Sequence, residues 1–476
     1  MTERLSVLAR ELMEGVVQIH VEGYVGEEIK AVLNPKKCEL SDWSGSGFFV
    51  KTNFGEGYII TNAHVLRNAK IIEVMAMTTS EERFRAQLVA MVKGMEPDIA
   101  LLRLEETEIQ RMKQISGKNI CYLELDPKPK VNRGQSIRAI GYPLGMVEPN
   151  ITAGEITNFI AGGKVSGEIY VTDAAINPCN SGGPAISDNG LVLGLNTAIV
   201  EGAENVGFIT PSSYISIILE NMLQKNEPRY AWMGGEFQKN SSALANHLKL
   251  PEQTRGVIAI KVEPDGFLDR AGIIPSDVIY EIAGEKFDRH GIVMNESISH
   301  HRNIFDVIKL RPIGDAVEIK YVRQGELFSS RAKVLPPPTW PVPSVPLVSD
   351  RNFMEVFGLL IQPLSLEIID AMYLIDRTLG TDLIKLLNLN KKLLIVTNID
   401  RGTAGDRMEW GMGAVFRHVD GKEVGSLEDF QQLLQEALSR GHEKILITCY
   451  YGLLGPFSLQ DVKDQDLKIW TASEII

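Results

Sequence analysis

From about Val16 to Gln224 the chain alternates short runs of β-branched and aromatic residues with Gly, Asn and Asp turns, and helical periodicity surfaces only around Ile215 to Leu223. That rhythm is accommodated by two six-stranded antiparallel barrels with a cleft between them. Residues at the strand ends of one barrel then face those of the other.

Three segments within this stretch carry chemistry. Tyr58-Ile59-Ile60-Thr61-Asn62-Ala63-His64 places a histidine directly after an apolar run that reads as a buried strand. Pro97-Asp98-Ile99-Ala100-Leu101-Leu102 places an aspartate just before another. Asn177-Pro178-Cys179-Asn180-Ser181-Gly182-Gly183-Pro184 sets a serine before two glycines, which let backbone come close to a bound chain. A serine hydroxyl is a weak nucleophile at neutral pH; it needs a base within hydrogen-bond reach and donors aimed at the oxygen that becomes negative. The order His64, Asp98, Ser181 is that of the trypsin-like enzymes, whereas α/β-hydrolases run Ser-Asp-His and subtilisins Asp-His-Ser. His64 and Asp98 fall in the first predicted barrel and Ser181 in the second.

Together with Gly45-Ser46-Gly47-Phe48-Phe49-Val50, these segments resemble the HtrA/Deg family of ATP-independent serine proteases, over essentially the whole chain. Gly202 to Pro211 resembles, in particular, the two-PDZ Deg proteases of plants. The resemblance implies Ser181 as nucleophile, His64 as general base and then acid, and Asp98 as the group that holds the imidazole tautomer. It also implies an oxyanion hole formed by the N–H groups of Cys179 and Ser181. The family pattern has glycine where this chain has Cys179. A cysteine keeps its N–H, but a positive φ there costs a residue with a side chain about 1–2 kcal/mol, against about 2.7–4 kcal/mol for losing an oxyanion donor outright. Low basal activity that a bound ligand raises is expected. A redox-sensitive gate at Cys179 is a second reading, beside the plainer one of a tolerated small side chain. Asn196, Thr197 and Ala198, on the run Val192 to Ile199, resemble the wall of the primary specificity pocket; without an acidic residue there, cleavage after small or medium aliphatic residues is expected.

Residues 226–335 resemble a PDZ domain of the HtrA type: a strand at Gly256 to Val262, a short helix at Gly266 to Ile273, and a strand and turn at Ser276 to Gly284. PDZ domains add a peptide to an open sheet edge and receive its carboxylate in a nest of N–H groups. Trp232, Met233, Gly234 and Gly235 occupy the place of that loop. Six prolines between Pro336 and Pro346 read as a stiff linker over 336–349. Residues 350–476 form a second, divergent PDZ-like unit: a loop and strand at Val356 to Ile361, a strand at Leu393 to Ile399, a turn at Asp420-Gly421-Lys422, and an amphipathic helix from Ser426 to Ser439 with Leu427, Phe430, Leu434 and Leu438 on one face. A mostly helical insertion is expected at Pro363 to Asn390. The expected fold is mostly β with α+β modules, the double barrel occupying 1–225.

Composition is that of an ordinary globular protein: 44% hydrophobic, 23% charged, net charge −12. An acidic chain without a Lys/Arg cluster argues against nucleic-acid or anionic-membrane partners, and no apolar stretch is long enough to span a bilayer. The N-terminus lacks the apolar core of a signal peptide, so a cytoplasm-like compartment, or export by an unmarked route, is expected. Cys38, Cys121, Cys179 and Cys449 are scattered without metal-site or disulfide spacing, and Gly162-Gly163-Lys164 lacks phosphate-loop spacing; no metal or cofactor is expected. The resemblance implies a homo-oligomer, a trimer or double trimer, acting on unfolded polypeptides and peptide C-termini in protein quality control. A weakly active chaperone or peptide-binding scaffold, and a dedicated processing protease or secreted effector with one partner substrate, are the alternatives.

Overall fold

The computed structural model describes residues 10–471 apart from 26–31, 38, 80, 93–96, 144–145, 163–164, 178, 200–205, 226–228, 242, 244–245, 247–255, 295–301, 337–350, 388–390, 408–410, 451 and 463–466. Contacts divide the chain into two compact units: residues 1–20, 43–66 and 72–338 in one, residues 21–42, 67–71 and 339–476 in the other.

Twelve strands make the two barrels. β1 (Val16–Val25), β2 (Glu39–Phe49), β3 (Tyr58–Thr61), β4 (Ala69–Ala76), β5 (Phe84–Met91) and β6 (Ala100–Leu104) close in the order β1-β2-β3-β6-β5-β4. β7 (Ser136–Gly141), β8 (Asn150–Gly162), β9 (Val165–Thr172), β10 (Pro184–Ile186), β11 (Val192–Ile199) and β12 (Gly207–Pro211) close in the order β10-β11-β12-β9-β8-β7. Closure removes the exposed sheet edge that strands this short would otherwise present. One side-chain core includes Phe48, Ile60 and Leu101 of the first barrel and Leu195 of the second; Ile137, Ile156, Tyr170 and Ile209 fill another inside the second barrel. A helix at Ser212–Lys225 covers the region where periodicity predicts one.

A further helix, Glu106–Ser116, corrects the expectation of a single helical segment. Only Ile109 and Met112 on it are buried, and no side chain caps its N-terminus. Such a narrow stripe leaves little periodicity to read; its one local signal is Gly117, which ends it at φ 65°.

In the same unit β13 (Gly235–Lys239), β14 (Val257–Val262), β15 (Val278–Ile282), β16 (Glu285–Lys286), β17 (Ala316–Arg323) and β18 (Glu326–Lys333) form a sheet in the order β13-β14-β15-β17-β18, with β16 paired to β15. Short helices lie at Phe267–Arg270 and Ile304–Lys309. The second is fixed by a capping box: the Asn303 side chain accepts from Asp306 N, and the Asp306 carboxyl accepts from Asn303 N. Tyr214, from the helix Ser212–Lys225, donates its hydroxyl to that carboxyl at 2.5 Å and accepts from the N–H of Glu168 on β9 at 2.9 Å. All three side chains are buried. Burial, then the nearby Asp306 charge, pushes the Glu168 carboxyl up to about 8.

The other unit carries two four-stranded sheets. β19 (Asn352–Val356), β20 (Leu359–Pro363), β21 (Leu394–Ile399) and β26 (Ile469–Thr471) run in the order β21-β20-β19-β26; β22 (Phe416–Val419), β23 (Lys422–Glu423), β24 (Lys444–Cys449) and β25 (Gly452–Ser458) run β23-β22-β24-β25. The insertion is two helices, Leu366–Ile375 and Arg377–Leu387. The helix Leu427–Ser439 starts on a Ser426/Asp429 capping box and buries Leu427, Phe430, Leu434 and Ala437; Leu438 is only partly buried. The extra sheets fit PDZ-type architecture. The proline-rich stretch beyond Pro336, the first nine residues and Cys38 lie outside the described residues. No helix among the described residues is long and apolar enough to cross a membrane. Cys121, Cys179 and Cys449 are free thiols, and burial raises the pKa of Cys121 and Cys449.

Candidate active site

His64 lies on a single helical turn, Ala63–Leu66, at the end of β3, and its neighbours Ala63, Val65 and Leu66 are buried. The apolar residues anchor the turn and leave the imidazole at the surface. Asp98 stands two residues before β6, which pairs with β3 through Ile60 and Leu101. That pairing brings the two motifs together. Asp98 accepts twice from one residue: Oδ1 from the His64 N–H at 2.9 Å, Oδ2 from the ring at Nδ1. A carboxylate on Nδ1 leaves Nε2 as the ring atom able to take a proton. The carbonyl of Asp98 is held in turn by Asn62 Nδ2 at 2.7 Å.

Ser181 sits in the turn before β10. Its hydroxyl donates to the carbonyl of Thr197 on β11 at 3.2 Å; no hydrogen bond joins it to His64 in this rotamer. Asn62 Nδ2 also reaches Thr197 Oγ1, at 3.4 Å, so the residue two before His64 touches the strand that holds Ser181. The Ser181 carbonyl accepts from the Ser46 N–H at 2.8 Å. Gly182, at φ 86°, has no room for a side chain: a Cβ there would lie 2.2 Å from both the Ser46 carbonyl oxygen and Thr61 Oγ1.

Cys179 is half-buried and has φ 74°. That is the left-handed region, which a residue with a Cβ disfavours. Among the described residues, neither the N–H of Cys179 nor that of Ser181 donates to a protein acceptor, while the next two amides along the turn do: Asn180 N to Asn177 O at 3.0 Å and Gly182 N to Asn196 O at 2.8 Å.

Asn196 is fully buried, and its amide donates to the carbonyls of Ile140 at 3.2 Å and Pro184 at 3.4 Å. It ties β11 to β10 and, beyond it, to β7. Thr197 Oγ1 meets Thr210 Oγ1 at 2.7 Å. Ala198 continues β11. Trp232, Met233 and Gly234 lead into β13, which begins at Gly235. Their carbonyls accept from Phe267 N, Leu268 N and Glu263 N. Gly234 has φ 72° and packs so closely on Gly266 that a Cβ would lie 2.4 Å from its Cα. Phe237 on β13 and Phe305 on the helix Ile304–Lys309 meet with ring centroids 5.3 Å apart.

A sequence model of the trypsin-like peptidase domain matches residues 45–195, the span that holds all three motifs. A probable periplasmic serine endoprotease, DegP-like, of Chlamydia muridarum is 27% identical over 414 residues, covering 85% of this chain and 72% of its own. The chain is a serine endopeptidase with a trypsin-like peptidase domain, similar over most of its length to DegP-like proteases. The serine protease Do-like HtrA of Bacillus subtilis is 26% identical to this chain over 309 residues, covering 61% of it and 63% of the relative. The solved HtrA-type protease AlgW with decapeptide superposes with TM-score 0.51 at 24% identity, over 70% of this chain and 99% of AlgW.

The residues that support the turn give no signal of that role in their own segments. Ser46 and Asn62 stood inside quoted motifs, but their partners lie 133 and 36 residues away. Only the tertiary fold brings them into register.

Proposed function

We propose that the chain cleaves unfolded or misfolded polypeptides without ATP, through an acyl-enzyme on Ser181. The observation that carries this is the double grip of Asp98 on His64, beside a serine turn whose amides at 179 and 181 have no protein acceptor. Ser181 Oγ turns from Thr197 toward His64, gives its proton to Nε2 and bonds to the substrate carbonyl carbon. The carbonyl oxygen becomes negative and takes the N–H groups of Cys179 and Ser181. The C–N bond then breaks as the amine takes the proton from His64. Water repeats the sequence on the ester and frees Ser181. Asp98 orients the ring and stabilises its charged form.

Thr197 and Ala198, on a strand fixed by Asn196, form the wall of the pocket for a small or medium aliphatic side chain. Trp232 to Gly235 and the outer edge of β13 receive peptide C-termini; the Trp232, Met233 and Gly234 carbonyls are tied inward and the Trp232 N–H donates to the Leu335 carbonyl at 2.9 Å, so the amides of Met233 and Gly234 serve the carboxylate. The divergent second PDZ-like unit serves assembly into a trimer or double trimer, as in the plant-type two-PDZ relatives, and the work done is protein quality control.

Degradation of unfolded casein by purified wild type and Ser181→Ala tests the core of this reading. The variant is expected to lose at least about 10⁴-fold in turnover; cleavage that survives the substitution rejects Ser181 as nucleophile. A held-off protease acting as a scaffold is the second reading, favoured by the side chain at φ 74° in Cys179. It predicts that Ser181→Ala keeps the full biological effect.

A further inference from the structure

Ser46 lies on β2 and is fully buried. Every polar atom it has is engaged at the nucleophile turn or at the backbone beside it. Its N–H donates to the Ser181 carbonyl at 2.8 Å, and its carbonyl accepts from Thr61 Oγ1 at 2.7 Å. Its hydroxyl accepts from the Tyr142 N–H at 2.9 Å and donates to the Cys179 carbonyl at 2.7 Å. Because the Tyr142 amide takes a lone pair, the hydroxyl proton is steered to Cys179.

φ at Cys179 sets the angle between the peptide that carries its N–H and the rest of the residue. At φ 74° a side chain is disfavoured; left to itself the loop would relax toward negative φ and turn the N–H away. The grip on the Cys179 carbonyl, together with the bond from Asn180 N to Asn177 O, holds the far side of the residue still and keeps φ positive. We propose that Ser46 is a positioning residue that holds the Cys179 amide in its oxyanion-binding orientation. This rests on the reading of Ser181 as nucleophile and the Cys179 N–H as an oxyanion donor. It gives the serine of Gly45-Ser46-Gly47 a task that its place in a strand does not explain.

If Ser46 opposes the strain of a side chain at 179, removing that strain makes the hydroxyl dispensable. The experiment compares full-length wild type, Ser46→Ala, Cys179→Gly, the double variant and Ser181→Ala, reading kcat and KM on labelled casein and Tm for each. Ser46→Ala is expected to lower kcat on the order of tenfold, the population shift such a strain sets, with KM within about twofold because ground-state binding is untouched. The double variant is expected to return to within about threefold of Cys179→Gly. Its Tm should stay as low as that of Ser46→Ala, since the Tyr142 amide remains buried without its acceptor. A merely structural Ser46 gives equal losses of kcat with Cys or Gly at 179, tracking Tm; that result, or full activity in Ser46→Ala, overturns the inference. Ser46→Cys, nearly the same size and a weak donor, gives the same comparison should Ser46→Ala fail to fold. Cleavage by Ser181→Ala would instead reject the underlying reading, whereas an inactive Ser181→Ala beside an unimpaired Ser46→Ala rejects only the role of Ser46.

Discussion

Cys179 holds a left-handed backbone that glycine adopts without penalty. For any residue with a Cβ the conformation costs about 1–2 kcal/mol. Cys179→Gly is therefore expected to raise casein turnover several-fold by populating the competent turn, with Tm within a few degrees, since unfolded-state entropy offsets part of the relief. Steady-state kinetics and a thermal melt check both halves; unchanged turnover would mean that Ser46 already holds the turn fully. The three side chains proposed to react were legible because each stands in a local pattern: a strand end, a strand start, a serine before two glycines. The polar groups that hold them were not. Asn62, Thr197 and Asn196 act across 12 to 135 residues of sequence, and nothing in a stretch such as Leu195-Asn196-Thr197 tells an inward amide from an outward one. Fully buried, Asn196 binds carbonyls of two other strands, Pro184 on β10 and Ile140 on β7.

Strands and helices were read where burial imposes a strong period. The helix Leu427–Ser439 shows its apolar stripe and its start, with Ser426 accepting from Asp429 N and Asp429 accepting from Ser426 N. Each half of that box satisfies an amide the helix cannot. Ser426→Ala is expected to destabilise the fold by about 1 kcal/mol, seen as a lower denaturation midpoint with unchanged slope; no change would mean that water replaces the cap. By contrast, the helix Glu106–Ser116 has no cap of this kind and shows only two buried residues, so its polar sequence ETEIQRMKQIS reads as a loop. The turn at Asp420-Gly421, both at positive φ, was found because few residues other than glycine and asparagine or aspartate accept that backbone.

Packing of the second barrel, the helix Ser212–Lys225 and the sheet β13–β18 into one unit leaves the Glu168, Tyr214 and Asp306 side chains buried together. The sequence offers no sign of this, because each of the three is ordinary in its own segment. Its consequence is a pH dependence. The Glu168 carboxyl is raised from an ordinary 4.5 to about 8, first by burial and then by Asp306. Between those values the folded chain keeps a proton that the unfolded chain has released. The stabilisation from this neutral carboxyl is complete below about 4.5 and is lost as pH rises through about 8. Urea denaturation of the full chain at pH 5.5 and 8.5 is expected to show lower stability at the higher pH, and Glu168→Gln to reduce that difference. An undiminished difference in Glu168→Gln would assign it to other groups.

Gly182 carries one more lesson. A Cβ there would strike the Ser46 carbonyl and Thr61 Oγ1, both at 2.2 Å. The residue after Ser181 is therefore set by how closely two strands of one barrel approach a turn of the other. A descendant that traded Ser181 for alanine would still need its glycine. Genome surveys that count proteases by this glycine would enrol such silent copies among the active ones, since the glycine answers to packing and not to the chemistry proposed for Ser181, His64 and Asp98.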